Sequence, residues 1–372
     1  MAYFWSSTFV PALLPQSIMD KLPTAEVNYG LTTPQGAVHE YVAARNTATG
    51  EILKKIPTPG GRRVSRRRFR QVLGEGLDIQ HGKNVIDVSY PASGVVVHFE
   101  DGTTTSGSLV IGADGGASRI RRLILGDKAE PTVLPIVMNN FNTQYTAEQA
   151  LSIREGLCPF TDYGVHPKGF FFLMAIQNVP DPADPSTWYF QLLTSWSTSL
   201  HSLSPEEDTS ENRLRALKEL TADFSEPRRS AMAWVPEGTY VPKDRLAIWS
   251  PVPWDHHGGR VTLAGDAAHA MTNHRGQGLN NCLNDAYNLV MGLVAASKGE
   301  KSMESALTEY GAEVVVRGAA EVEMSRLTSM GVHNWDKFME SPVMKHGLAR
   351  LPAEAVKAPK VDVVETPAAA PG

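Results

Sequence analysis

The residues best placed to do chemistry in this 372-residue chain fall in Arg260–Leu293, RVTLAGDAAHAMTNHRGQGLNNCLNDAYNLVMGL. Val261 and Leu263 alternate with Thr262 and Ala264, which predicts a short half-buried strand that stops at Gly265-Asp266. Gly276 and Gly278 follow, residues that let a backbone take positive φ and come close to a bound group. Leu279, Leu283, Ala286, Val290 and Leu293 then recur at steps of four and three, predicting a helix with one apolar face. A strand, a Gly-rich loop and a helix N-terminus form a cradle for a phosphate or another electron-rich group, because free N–H groups and the helix dipole point into it. Asp266, at the strand end, can accept from a ribose or ribityl hydroxyl.

Ser108–Arg121, SLVIGADGGASRIR, makes a second unit of the same kind. Leu109, Val110 and Ile111 predict a strand, Gly112–Gly116 a small-residue turn, and Ser118 a helix N-cap followed by Arg119 and Arg121. Asp114-Gly115 could be a tight turn and nothing more, as Asp101-Gly102 after Val95–Phe99 is expected to be. Its setting differs, with an apolar strand before it and basic residues after it. Upstream, six arginines fall within Arg62–Arg70. Val64, Phe69 and Val72 interleave with them, so a helix with one buried face and cations near a dinucleotide is expected, rather than a nucleic-acid patch.

Gly265-Asp266-Ala267-Ala268-His269 and Asp114-Gly115-Gly116-Ala117-Ser118-Arg119 together resemble the GD and DG motifs of the FAD-dependent aromatic hydroxylases, the single-component flavoprotein monooxygenases. Arg66-Arg67-Arg68-Phe69-Arg70 resembles a third family element, an arginine at the start of the helix that packs beside the flavin. Order and spacing match along roughly three quarters of the chain, from about residue 62 to 330. The resemblance implies an α/β fold, with an FAD/NAD(P)-binding Rossmann-like domain and a β-rich substrate domain. It implies FAD as cofactor, NADPH or NADH as co-substrate, and O2. The reaction would be hydroxylation or epoxidation of an aromatic or polyketide-like small molecule in secondary metabolism. Arg66 would sit near the flavin and its pyrophosphate, and Asp114 near the bonds that couple the FAD and nicotinamide sites. Asp266 would bond the ribityl or pyrophosphate region, while Gly278 and Leu279 would offer backbone N–H groups at the helix start.

The chain also departs from the family. A G-x-G-x-x-G turn after a first strand normally holds the FAD pyrophosphate. Here Gly74-x-Gly76 and Gly276-x-Gly278 are the G-x-G pairs in plausible places, and neither follows a strand with a third Gly at the right offset. Met1 is followed at once by Phe4, Trp5, Phe9, Pro11 and Pro15, so the chain is expected to start downstream of a βαβ unit of ~30 residues or more. Its parallel sheet would then lack a central strand. Asn273 stands where the family usually has proline. The missing fingerprint favours an alternative, a scaffold that lost full FAD binding and serves as a non-oxidative cyclase, isomerase or binding protein. Asp266 and Arg66 favour the monooxygenase.

Composition sets the frame for these motifs. An apolar fraction of 42% is ordinary for a globular protein, and net charge −5 does not point to nucleic acid. Two cysteines, Cys158 and Cys282, are too few for a disulfide framework, so a reducing, cytoplasmic setting is expected. No apolar run approaches the ~20 residues of a membrane span. Residues 1–130 and 251–335 are expected to form the FAD-binding domain and 131–250 the substrate domain, with a disordered tail over 351–372. Expected elements include strands over Val38–Arg45, Phe170–Ile176 and Trp188–Leu193, and helices over Glu206–Phe224 and Met303–Met330. His256, His257, His269 and His274 match no zinc spacing, and no metal is expected. Tyr163, Arg154 and His166 are conceivable bases for a substrate hydroxyl, none with a motif behind it.

Overall fold

The computed structural model of the chain describes residues 1–31, 41–158 and 161–348. The tail expected over 351–372 and the first three residues of the strand expected over Val38–Arg45 lie outside them. The chain opens with β1 (Ala2–Tyr3) and two short helices, α1 (Val10–Leu13) and α2 (Gln16–Met19). A hairpin, β2 (Tyr41–Asn46) and β3 (Ile52–Pro57), precedes β4 (Arg62–Arg63), which pairs antiparallel with β1. Next comes α3 (Arg66–Leu73), capped by the Ser65 hydroxyl. Phe69 and Val72 on α3 are buried against Tyr3, Val10, Leu22 and Val64, so one face of the helix is apolar and the arginines occupy the rest, as their spacing predicts. A meander of β5 (Val85–Ser89), β6 (Val95–Phe99) and β7 (Thr104–Gly107) turns at Asp101-Gly102 and leads to β8 (Val110–Gly112) and α4 (Arg119–Leu125).

The middle of the chain supplies β9 (Thr132–Thr143), α5 (Ala147–Gly156), β10 (Asp162–His166), β11 (Phe170–Asn178), β12 (Tyr189–Ser197), α6 (Ser210–Leu220), α7 (Arg228–Ala233) and β13 (Asp244–Ile248). These strands form a seven-stranded sheet in the order β13-β9-β12-β11-β10-β2-β3, antiparallel except where β10 pairs parallel with β2. The sheet therefore crosses the boundary drawn at residue 130. The parallel pairing of Ala43 with Asp162 is non-local, and no local pattern announces it. Side chains alternate between two buried faces. Phe170, Phe172, Phe190, Leu192 and Trp196 meet α5, α6 and α7, whereas Ile136, Met138, Phe171 and Leu193 face the other way. Burial on both faces accounts for the unbroken apolar run along β11. The helix expected over Glu206–Phe224 is shorter, because Thr209 caps it by accepting from Asn212 N.

The chain then returns through β14 (Val261–Leu263), parallel to β8, followed by α8 (Asp266–His269), α9 (Gly278–Ser297), α10 (Met303–Val332), α11 (Trp335–Phe338) and α12 (Pro342–His346). Among the described residues no further strand joins the β8–β14 pair, and Ile111 on β8 is 42% exposed. The 30-residue α10 runs from the core beneath this pair, at Val314, to the core under the large sheet, at Val322 and Val332. No helix among the described residues is long and apolar enough to cross a membrane.

The packing of α9 corrects the sequence expectation. Leu279 and Leu283 are half-buried and Val290 is exposed, while Asn280, Asn281, Asn284 and Asp285 are buried. Hydrophobic periodicity does not register a polar face that is buried because it is hydrogen-bonded. Gly112 closes β8 against α4 and β14. A Cβ there would lie 2.7 Å from Ile120 Cγ2 and 2.8 Å from Leu263 Cδ2. Gly112→Val should therefore lower stability by about 1–3 kcal/mol through overpacking, read as a fall in the urea midpoint at unchanged slope. An unchanged midpoint would show that α4 can give way.

Candidate functional site

Two loops, one after β8 and one after β14, emerge side by side because their strands are parallel neighbours. In the first, the Asp114 carboxylate accepts from Arg119 N at 2.6 Å, from Ile120 N at 3.2 Å and from the Ser118 hydroxyl. Ser118 Oγ in turn accepts from Arg121 N at 2.9 Å. Asp114 thus satisfies donors that the start of α4 would otherwise leave orphaned. Arg121, 1% exposed, ties the loops together. Its Nε donates to Ala129 O at 3.1 Å, its Nη2 to Gly116 O at 2.5 Å, and its Nη1 to Asp266 O and Ala267 O at 3.3 and 3.1 Å. The guanidinium lies over the Trp249 ring, 4.5 Å from its centroid.

The second loop is shaped from α9. Asp285 Oδ2 accepts from Gly265 N at 2.7 Å and lies 2.7 Å from His269 Nε2, while Arg317 pairs with the other oxygen. Arg317 also donates to Glu313 at 2.7 Å and to Asn281 Oδ1 at 2.7 Å. Burial alone would raise the Asp285 carboxyl. His269, Arg317 and the Gly265 N–H outweigh it and hold the carboxyl below its ordinary range. Gly265 takes φ +62°, and a Cβ on it would press within 2.9 Å of Cys282 Sγ.

Asp266 stands in contrast to Asp285. Among the described residues its carboxylate makes no hydrogen bond. Burial pushes its pKa up, and Asp285 adds to this; His269, Arg121 and Arg66 pull the other way. Across from it, a Cβ on Gly278 would come 3.8 Å from Asp266 Oδ1, so the bare backbone keeps that space open. The expectation of positive φ holds at Gly276, at +64°, and not at Gly278, which contributes room instead. The N–H groups of Gly278, Leu279 and Asn280 find no acceptor among the described residues, leaving three free donors at the head of a 20-residue helix. On their other side, Asn280 Oδ1 accepts from Phe4 N and Ser6 Oγ, and Gln277 Oε1 accepts from Trp5 Nε1. Arg66, in the first turn of α3, has no partner among the described residues and is close enough to Asp266 to act on its charge. Arg66, Arg67 and Arg70 line a cleft of about 600 Å³ with Gln71 and His81.

The fold therefore brings Arg66, Asp266, Gly278 and Leu279 together, while Asp114 is spent on α4 and reaches the group only through its loop. His166 packs on Phe224, and Arg154 lies over Trp188, both on the sheet face turned toward α5 and α6. Tyr163 is on the opposite face, where burial pushes its phenol up. His256 and His257 lie beside Val261 O and the Tyr90 ring. His274 joins the loop to the sheet, with Nε2 2.9 Å from Ser195 Oγ and Nδ1 2.8 Å from Ser329 Oγ. Ser195 Oγ also meets His333 Nε2 at 2.8 Å, Ser329 Oγ donates to Thr272 Oγ1, and Thr272 donates to Ser325 O. Sequence reasoning missed the roles of Arg121 and Asp285. The second had a signal, since Asn280, Asn281, Asn284 and Asp285 form a polar stripe at helical spacing.

Asp285→Asn should cost about 1–3 kcal/mol at neutral pH, because Arg317 loses one of its two carboxylate partners and keeps Glu313. The folded pKa of Asp285 is depressed, so its contribution is present above the unfolded value near 3.8 and is lost as pH falls through the folded one. The stability gap between variant and wild type, measured by urea unfolding, should close below about pH 4. A gap independent of pH would contradict the ionised assignment.

A family pattern described as FAD binding domain matches residues 73–325. The FAD-dependent monooxygenase phnB of Penicillium herquei is 36% identical over 354 residues, covering 93% of this chain and 84% of its own. The FAD-dependent monooxygenase cctM of Talaromyces islandicus is 33% identical over 349 residues, with 93% and 85% covered. Among solved structures, HpxO of Klebsiella pneumoniae complexed with FAD and uric acid superposes with a TM-score of 0.68 at 20% identity, covering 94% of this chain and 83% of that one. This likeness bears on the fold. With paired loops in the expected order and likeness to whole relatives along nearly all its length, the chain belongs to the FAD-dependent monooxygenases, a family of oxidoreductases.

Proposed function

We propose that the recess between α3, the Asp266 loop and the head of α9 holds FAD, and that the protein hydroxylates or epoxidises an aromatic or polyketide-like small molecule with NADPH or NADH and O2. The observation that carries this reading is the juxtaposition of three free amides with one unpartnered carboxylate. Amide donors and the nearby Arg66 suit an anionic or electron-rich group, and Asp266 suits a sugar-alcohol hydroxyl. Bound FAD would supply the redox chemistry, taking electrons from the nicotinamide and activating O2.

The remaining tasks fall to the chain's own residues. Gly278 and Leu279 donate N–H groups, Asp266 accepts from a ribityl hydroxyl, and Arg66 offers a cation beside the diphosphate. Asp114 acts indirectly, by fixing α4 and hence Arg121. Met138, Phe171 and Leu193 give the sheet an apolar face that excludes water from a reacting ring.

The purified protein should show a flavin spectrum, bleach on addition of NADPH or NADH, and consume O2. A well-folded but colourless and reductant-inert protein would overturn the reading in favour of a non-oxidative scaffold. Asp266→Asn should weaken FAD binding by about 10- to 100-fold, the worth of one charged hydrogen bond. The same change should leave the flavin-free protein about as stable as wild type, because the side chain faces solvent. Thermal midpoints across pH, with and without FAD, check both halves.

A further inference from the structure

Arg63, on β4, is 7% exposed. Its Nη1 donates to Ile176 O at 2.7 Å, and its Nη2 donates to Gln177 Oε1 at 3.1 Å and Gln191 Oε1 at 2.6 Å. All three acceptors are neutral. Burial lowers the Arg63 pKa to about 10, and no described carboxylate offsets it. The other deeply buried guanidiniums differ. Arg228 pairs with Asp162, Arg275 with Glu321 and Arg317 with Asp285, and Arg121 has Asp114 and Asp266 close enough to act on its charge. A buried cation held only by neutral amides is costly unless something negative joins it.

The surroundings indicate where that negative group would come from. Gln191 Nε2 donates to Asn140 Oδ1 at 2.8 Å. Asn140 shares a sheet face with Met138, and Gln191 shares it with Leu193 and Ser195. That face meets the Asp266 loop directly, through Asn273 Nδ2 on Met138 Sδ at 3.4 Å and His274 on Ser195. Arg63 itself lies three residues before Arg66, on the strand that leads into α3. A buried cation and a set of amides thus adjoin the sheet face that the Asp266 loop packs on.

We propose that Arg63 receives an ionised oxygen of the substrate, a phenolate, enolate or carboxylate, and that Gln177, Gln191 and Asn140 read the neutral oxygens beside it. Amides can donate or accept, which suits a molecule carrying both hydroxyl and carbonyl groups. The guanidinium fork gives the anion two parallel donors once one amide oxygen is displaced. This assignment rests on the recess being the flavin site, and the test separates the two.

The probe is 4-nitrophenol, whose absorbance distinguishes phenol from phenolate without reference to flavin, compared with its methyl ether, 4-nitroanisole. The full chain, titrated with each in the presence and absence of FAD, should prefer the nitrophenolate by about tenfold or more. The bound phenol should titrate about one pH unit lower than the free one, the equivalent of that factor. Arg63→Gln should abolish the preference with the thermal midpoint kept, and Arg63→Lys should restore part of it. Gln191→Leu, which leaves the cation in place, should retain the preference, so the proposal stays open to refutation even if Arg63→Gln fails to fold. Equal binding of phenol and ether, no binding of either, or a preference unchanged in Arg63→Gln would overturn it. Phenolate selectivity without FAD uptake would refute the flavin reading and, with it, the identification of the bound anion as the substrate of a flavin reaction, while upholding Arg63 as the anion's partner. FAD uptake without selectivity would do the reverse.

Discussion

One guanidinium holds the site in shape. Arg121 reaches four backbone carbonyls, at Gly116, Ala129, Asp266 and Ala267, and so couples the loop after β8 to the loop after β14. Loop carbonyls in a buried place must find donors, and two irregular loops cannot supply them to each other by regular pairing. Arginine presents five N–H groups in a rigid plane, whereas a lysine ammonium offers three from a point. Trp249 closes over the plane, and its backbone N–H, donated to Ala270 O, secures the far end of the second loop. Asp114 and Ser118 matter here chiefly because they fix the helix from which Arg121 projects.

The two acidic groups around this clamp differ in their surroundings. Asp285 is fully buried and fully engaged, with Gly265, His269 and Arg317 all contributing to its ionised state. Asp266 is left facing open space with no donor of its own. An exposed carboxylate and the free amides at the head of α9 together leave room for a partner from solution.

Much of this was legible in the chain itself, and the limits have physical causes. The β14–loop–α9 unit, the turn at Asp101-Gly102, the cap at Ser118 and the buried side of α3 follow from local rules of alternation, glycine placement and capping. The convergence of Arg66, Asp266 and Gly278 came from motif order, since residues so far apart in sequence carry no local mark of proximity. The joining of β2 and β3 to the large sheet is non-local in the same way. Arg121 was visible only as one basic residue among several, because its role depends on where four carbonyls end up. The polar face of α9 was hidden for the opposite reason: Asn281 and Asp285 look solvated until Arg317 and His269, on other helices, are brought to them.

The junction at Ser195 has a definite polarity. Ser325 O can only accept, so Thr272 must donate to it and Ser329 must donate to Thr272. Ser329 then has only lone pairs left for His274, which places the imidazole proton on Nδ1 and leaves Nε2 to receive the Ser195 hydroxyl. Ser195 in turn accepts from His333 Nε2. Burial keeps both rings neutral, pulling His333 down to about 4 and His274 well below its usual value. A single peptide oxygen on α10 thus sets two histidine tautomers across the seam, and running the chain in the opposite sense would take the Thr272 donor away from that oxygen.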